Sequence, residues 1–188
     1  MTPLGHLRGA ILNKLNLLTL AALLSLAACS PKAPPVAATP PPAPTCPGDN
    51  GGLTLAPGFC ATIFADNIGH ARHMAVSPEG VVYVNTWSGQ YFGFDKPPAG
   101  GFLVALQDTD GDGIADKTDR FGAGVPEKAT GGTGIALFNG AVYAEQNDYI
   151  LKFALTAGNP VPQGAPVKVI TGLPQSGDHM MHPFVIDP

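Results

Sequence analysis

A cluster of acidic residues near the middle of the chain has the spacing of a calcium-binding loop. Residues 108–119 read DTDGDGIADKTD, with carboxylates at positions 1, 3 and 5 and glycine at position 6. An EF-hand loop has this pattern, and its position 7 contributes a main-chain carbonyl. Carboxylates this close repel one another unless a cation lies among them. The pattern predicts a structural calcium site between strands, with an acidic, solvated turn as the alternative. The candidate ligands are Asp108, Asp110, Asp112, Ile114, Asp116 and Asp119.

Two short segments each contain a pair of histidines. Residues 69–74 read GHARHM, and residues 177–183 read GDHMMHP. Each segment leads into an apolar stretch that the pattern below predicts to be a hairpin strand. A histidine pair at equivalent points of two repeats favours a functional role, although a purely structural role stays the alternative. The candidate catalytic residues are His70, His73, His179 and His182, and Arg72 lies between the first two.

The first 29 residues have the organisation of a bacterial lipoprotein signal peptide. Arg8 and Lys14 precede an apolar run over residues 15–26, which is short for a membrane span and suits the core of a signal peptide. The run ends in Leu-Ala-Ala-Cys, a lipobox that would place a lipid on Cys29. An ordinary secretory signal with an incidental cysteine is the alternative. Serine after the cysteine favours the outer membrane of a Gram-negative bacterium, facing the periplasm.

Residues 30–45 form a proline-rich linker, and a pair of cysteines follows. Seven prolines within residues 31–45 favour extended polyproline II structure and prevent a packed core. With Cys29 assigned to lipid, Cys46 and Cys60 remain, and an exported compartment favours a disulfide between them. Two free thiols are the alternative.

The remaining residues predict an all-β fold. The chain has 24 glycines and 20 prolines, and only 13% of its residues are charged. Short apolar segments alternate with turn-forming sequences such as Asn-Gly, and no helical period is evident after residue 45. With 10 basic and 14 acidic residues, the chain has too few cations for a general nucleic-acid binder. The predicted strands are 61–65, 73–76, 81–85, 102–106, 135–138, 141–144, 149–155 and 167–170.

A repeat within this region predicts propeller blades. Residues 75–84 align with residues 136–144 as strand, turn and strand with a central tyrosine, and residues 184–188 begin a third copy. The two central tyrosines, Tyr83 and Tyr143, lie 60 residues apart. A repeat period of this size suggests β-propeller blades with insertions, and propellers close with four to eight blades. We therefore expect residues 46–188 to form about two and a half blades, a partial β-propeller domain of a truncated chain.

Several ordered motifs resemble the glucose/sorbosone dehydrogenase family, particularly bacterial L-sorbosone dehydrogenase-like lipoproteins. They are PGFCATIFADN (57–67), GHARH (69–73), VYVNTW (82–87), the acidic loop and HPF (182–184). The resemblance covers residues 46–188. It implies a six-bladed propeller that binds pyrroloquinoline quinone (PQQ) and calcium and oxidises a sugar or aldehyde in the periplasm. Electrons would pass to a separate acceptor.

The resemblance also implies roles for the candidate residues. In such enzymes a cation, either Ca²⁺ or an arginine, polarises the quinone carbonyl, and Arg72 is the candidate arginine. A histidine removes a proton from the substrate. Two other function classes stay open. One is a non-catalytic propeller lipoprotein that binds a carbohydrate or a protein partner, and the other is a degenerate fragment without activity.

We predict that Cys29 carries lipid and brings the full-length protein into membranes. The Cys29→Ser variant is expected to lose incorporation of radiolabelled palmitate, because serine offers no thiol for acylation. Persistent labelling of this variant would contradict the prediction.

Overall fold

The computed structural model describes residues 45–46, 48–87, 89, 96–125, 129–130 and 132–187. It confirms the all-β class, since eight strands and one short 3-10 turn, Asn50–Gly52, make up the regular structure of these residues. The strands are β1 (His73–Val76), β2 (Val82–Asn85), β3 (Leu103–Gln107), β4 (Lys117–Phe121), β5 (Ile135–Phe138), β6 (Ala141–Gln146), β7 (Tyr149–Ala154) and β8 (Val167–Thr171).

The strands form two antiparallel four-stranded sheets, each in sequence order. The first sheet has the order β1-β2-β3-β4 and the second the order β5-β6-β7-β8. Neighbouring strands within a sheet are also consecutive in the chain, so each sheet is a meander. The hairpin between β5 and β6 turns at Asn139 and Gly140, whose φ angles of 44° and 67° are those of a type I′ turn. The predicted Asn-Gly hairpin is therefore confirmed.

The main hydrophobic core lies between the two sheets. Alternate residues of each strand point to the same face, so Tyr83 on β2 and Phe121 on β4 join Val142 and Phe153 of the second sheet in one buried cluster. The ring centroids of Phe121 and Phe153 lie 5.3 Å apart in an edge-to-face arrangement. Such aromatic pairs stabilise a core beyond the area that they bury.

A second, smaller core covers the other face of the first sheet, and it corrects one prediction. Val84 and Leu106 pack there against Phe64 of the segment predicted as strand 61–65. That segment is not a strand. It lies across the face of the sheet, and the carbonyl of Phe64 accepts a hydrogen bond from Ala115 N at 2.7 Å.

Strand β4 lies where the sequence predicts no strand. Of its five residues only Phe121 is buried, and the others carry polar or charged side chains. Among the described strands, β4 is the edge of the first sheet and pairs only with β3. Edge strands commonly carry polar and charged side chains, so β4 lacks the apolar run on which strand prediction depends.

The predicted disulfide is confirmed by the structure, which joins Cys46 to Cys60 with a Cα–Cα distance of 5.2 Å. The loop that it closes is also tied by Asn50, whose Oδ1 accepts a hydrogen bond from Ala61 N at 3.1 Å.

The predicted signal peptide (1–29) with Cys29, and the linker except Thr45, lie outside the described residues. Within the described part of the chain, no helix is long and apolar enough to cross a membrane.

Tyr83 gives the fold a testable sensitivity to alkaline pH. Its hydroxyl donates to the carbonyl of Pro160 at 3.0 Å. Burial, and secondarily the negative charge of Glu79, raise the pKa of Tyr83 from 10.0 to about 12. Between these values the unfolded chain ionises the phenol while the folded chain keeps it protonated, so the folded state loses stability as pH rises.

We predict that Tyr83→Phe lowers the free energy of unfolding by about 1 kcal/mol at neutral pH, because one hydrogen bond is lost. The same variant should show a smaller fall in melting temperature than wild type between pH ~9 and pH ~11. The measurement is thermal unfolding of both proteins across this range. Equal falls in the two proteins would contradict the prediction.

Candidate functional site

Three of the predicted site residues meet at one end of the two sheets. Arg72 and His73 stand at the start of β1, and His179 belongs to the segment that follows β8. Together they line an open cavity of about 290 Å³. Its other lining residues are Thr133, Met181 and Pro183. Arg72 and His179, which lie 107 residues apart in sequence, thus converge on one site.

His70 and His182, the other two candidates, do not line this cavity. The main-chain N–H of His70 donates to the carbonyl of Thr86 at 2.9 Å, which docks the chain onto the end of β2. The imidazole of His182 contacts the carboxylate of Glu145, with 2.8 Å between Nδ1 and Oε1. The structure therefore separates the four histidines, with His73 and His179 at the cavity.

Glu145 is the residue that sequence reasoning missed. It lies in β6, and its side chain is fully buried. Its Oε2 accepts hydrogen bonds from the main-chain N–H groups of Thr133, at 2.9 Å, and Gly134, at 3.1 Å. Its Oε1 accepts from the main-chain N–H of His182 at 2.7 Å and also contacts Nδ1. A lone carboxylate after the apolar residues 141–144 is the sequence signal that could have pointed to it.

A buried amide links the main chain of Glu145 to the first sheet. Asn85 at the end of β2 is 1% exposed, and its Nδ2 donates to the main-chain carbonyl of Glu145 at 3.2 Å. Asn85 is also the strand partner of His73. The cavity residues of the two sheets are therefore joined through a polar contact at the same end of both sheets.

The cavity has the donors and proton acceptors to bind an oxygen-rich ligand. Arg72 provides a guanidinium, which is always charged and fits carboxylates and carbonyl oxygens. His73 and His179 are exposed imidazoles that can exchange protons with a bound hydroxyl. These side chains can bind an anionic or carbonyl group of a ligand next to a ligand group that releases a proton.

The acidic loop brings three of its predicted ligands together. Carboxylate oxygens of Asp108, Asp110 and Asp116 lie within 4.8 Å of one another. Asp108 accepts hydrogen bonds from the main-chain N–H groups of Gly113, at 2.8 Å, and Gly111, at 2.7 Å. These bonds, with that from Gly113 first, lower the pKa of Asp108 and favour its ionised form.

The other predicted ligands lie outside this group of three carboxylates. Asp112 Oδ1 accepts a hydrogen bond from Ile114 N at 2.8 Å within the loop. Asp119 belongs to β4, where it is the strand partner of Ala105. The loop is shorter than the twelve-residue pattern because Asp116 N donates to the carbonyl of Gln107 at 3.0 Å and β4 begins directly afterwards.

The loop and the cavity lie at opposite ends of the first sheet. His73, Asn85, Leu103 and Phe121 stand in one row across its four strands, and this row is at the cavity end. Gln107, which precedes the loop, is four residues further along β3, roughly 13 Å away at 3.3 Å per residue. A cation in the loop would therefore not touch a ligand in the cavity.

Comparison of the chain with protein-family models gave no match, and comparisons with curated proteins and with solved structures gave none either.

Proposed function

We propose that the protein is a lipid-anchored envelope dehydrogenase that oxidises a sugar or an aldehyde with PQQ and passes the electrons to a separate acceptor. The observation that carries the proposal is the cavity lined by Arg72, His73 and His179. It unites three of the five charged and titratable residues to which the family resemblance assigns the chemistry. The lipobox at Cys29 supports the placement at a membrane facing the periplasm.

We further propose that the two sheets are consecutive blades of a β-propeller. In support, each sheet is a four-stranded antiparallel meander, and the first strands of the two sheets, β1 and β5, lie side by side. Inner strands of neighbouring blades have this relation around a propeller axis. The segment carrying Phe184 packs beside Gly134 at the start of β5, where the first strand of a third blade would stand.

The residues present fit PQQ, which is rich in carboxylates and carbonyl oxygens. Arg72 would hold one of these oxygens through paired N–H donors, and Thr133 could add a hydroxyl at the same wall. When bound, PQQ supplies a quinone that accepts a hydride from the substrate carbon. His73 and His179 are the candidates to take the proton from the substrate hydroxyl or aldehyde hydrate, since both line the cavity.

The acidic loop is proposed to bind calcium in a structural role. Its donor set fits, because calcium prefers several oxygen ligands and Asp108, Asp110 and Asp116 offer carboxylates on one small patch. An ion there would tie the loop to the ends of β3 and β4. Its position at the far end of the sheet from the cavity favours stabilisation over direct participation in catalysis.

We predict that the full-length protein binds PQQ and that Arg72→Met weakens this binding at least about tenfold, because a charge-assisted hydrogen bond is lost. The control is Lys117→Met, which removes an exposed cation paired with Asp119 on β4. The measurement is titration of each purified protein with PQQ, followed by dye reduction with aldoses and sorbosone.

Failure of the wild-type protein to bind PQQ would contradict the proposed function, as would equal weakening in the two variants. Saturable binding of a sugar without dye reduction would instead support the non-catalytic lipoprotein.

We predict that calcium raises the melting temperature of the wild-type protein relative to chelator. Mass action makes the gain about 2.7 kcal/mol at a hundredfold excess over Kd. The double variant Asp108→Asn and Asp110→Asn should lose the gain. Asp119→Asn should keep it, because Asp119 lies outside the group of three carboxylates. Equal melting of wild type with and without calcium would contradict the site, and loss of the gain in Asp119→Asn would favour the full twelve-residue pattern.

A further inference from the structure

The two carboxylate oxygens of Glu145 bind two different walls of the cavity. Oε2 accepts the main-chain N–H groups of Thr133 and Gly134, and Thr133 is itself a lining residue. Oε1 accepts the main-chain N–H of His182. Oε1 also lies 2.8 Å from His182 Nδ1, so the side chain and the main chain of His182 both contact the same carboxylate oxygen. One buried side chain therefore connects the loop before β5 with the segment after β8.

His182 is flanked by two residues that face the cavity. Met181 and Pro183 line it, whereas the side chain between them is directed to Glu145. Neighbouring side chains of an extended segment point to opposite sides, so fixing His182 fixes the orientation of both its neighbours. His179, three residues earlier, belongs to the same segment. The contact between His182 and Glu145 thus sets the orientation of the cavity wall that this segment forms.

The third wall of the cavity is formed by Arg72 and His73, and it is connected to Glu145 through the main chain of Glu145. Its carbonyl accepts the hydrogen bond from Asn85 Nδ2, and Asn85 pairs with His73 across β1 and β2. The carbonyl of Asn85 also accepts a hydrogen bond from Arg72 N at 3.4 Å. Both cavity residues of the first sheet are therefore held by the residue that contacts Glu145.

The close approach of these segments requires glycine at two positions. A Cβ atom at Gly132 would lie 2.4 Å from the main-chain oxygen of Glu145. A Cβ atom at Gly134 would lie 2.5 Å from the ring of Phe184 and 2.8 Å from the carbonyl of His182. Such distances are far inside van der Waals contact, so the loop reaches the carboxylate only because both residues lack side chains.

We propose that Glu145 is the positioning residue of the cavity and acts through Thr133, His182 and Asn85 to hold its three walls in one geometry. This role rests on the proposed function, because it takes the cavity as the ligand site. Glu145 does not itself line the cavity, so it is a positioning residue and not a catalytic one.

The test is Glu145→Gln in the full 188-residue protein, with Glu79→Gln as the matched control. Glu79 carries the same carboxylate on the exposed turn between β1 and β2. A carboxamide has one oxygen, so in either orientation its NH₂ group faces at least one main-chain N–H donor. We expect amide hydrogen exchange at Thr133, Gly134 and His182 to speed up at least about tenfold, with the β6–β7 ladder still protected.

The second readout is the geometry of the cavity itself. The ring resonances of His179 are expected to move in Glu145→Gln and to stay in place in Glu79→Gln. Those of His73 should move less, because the substitution keeps the main-chain carbonyl that binds Asn85. Unchanged exchange at the three amides, or unmoved ring resonances despite faster exchange, would overturn the positioning role. Neither readout uses PQQ, so failure of PQQ to bind the wild-type protein would count against the proposed function alone.

A glycine pair tests the same idea with the carboxylate intact. Gly134→Ala should displace the segment around His182 and move the His179 ring resonances. Gly164→Ala should not, because nothing lies within 4 Å of its added Cβ atom. If Gly134→Ala leaves the His179 resonances in place, the proposed route from the loop to this wall is wrong.

Discussion

Burying a carboxyl group costs roughly several kcal/mol unless hydrogen bonds replace the lost water, and Glu145 meets this requirement with donors from two separate segments. The requirement acts in both directions. The carboxylate can be buried because the segments reach it, and the segments stay close because leaving would strand a buried carboxylate without hydrogen-bond partners. The arrangement of the cavity depends on this mutual need.

The two sheets supply the rigid frame for that arrangement. Their shared aromatic core fixes the faces of β2 and β6 against each other, so the ends of both strands, at Asn85 and Glu145, come within hydrogen-bonding distance. The candidate site residues then stand at the strand ends and in the segments beyond them. The meanders thus hold the candidate site residues at one end of the first sheet and the acidic loop at the other, roughly 13 Å away along β3.

Local sequence rules predict the parts of the fold that depend on neighbours in the chain. Asn139 and Gly140 form the hairpin turn because both accept positive φ angles, and the two cysteines pair across a short loop. The rules fail where a distant partner decides. Strand β4 is polar and follows from pairing with β3, whereas segment 61–65 is apolar yet covers a sheet face. Glu145 was missed because its partners are main-chain groups and a histidine 37 residues away.

The disulfide at the start of the described chain also has a mechanical consequence. Cys46 and Cys60 enclose the short loop that precedes segment 61–65. A pull applied at Thr45 reaches Ala61 through the covalent bridge, and the loop between the cysteines stays slack. Tension from a tether on the amino-terminal side would therefore load the packing of Phe64 and Ile68 against the first sheet before it reached β1. Because of the bridge, such tension would act first on this face of the sheet.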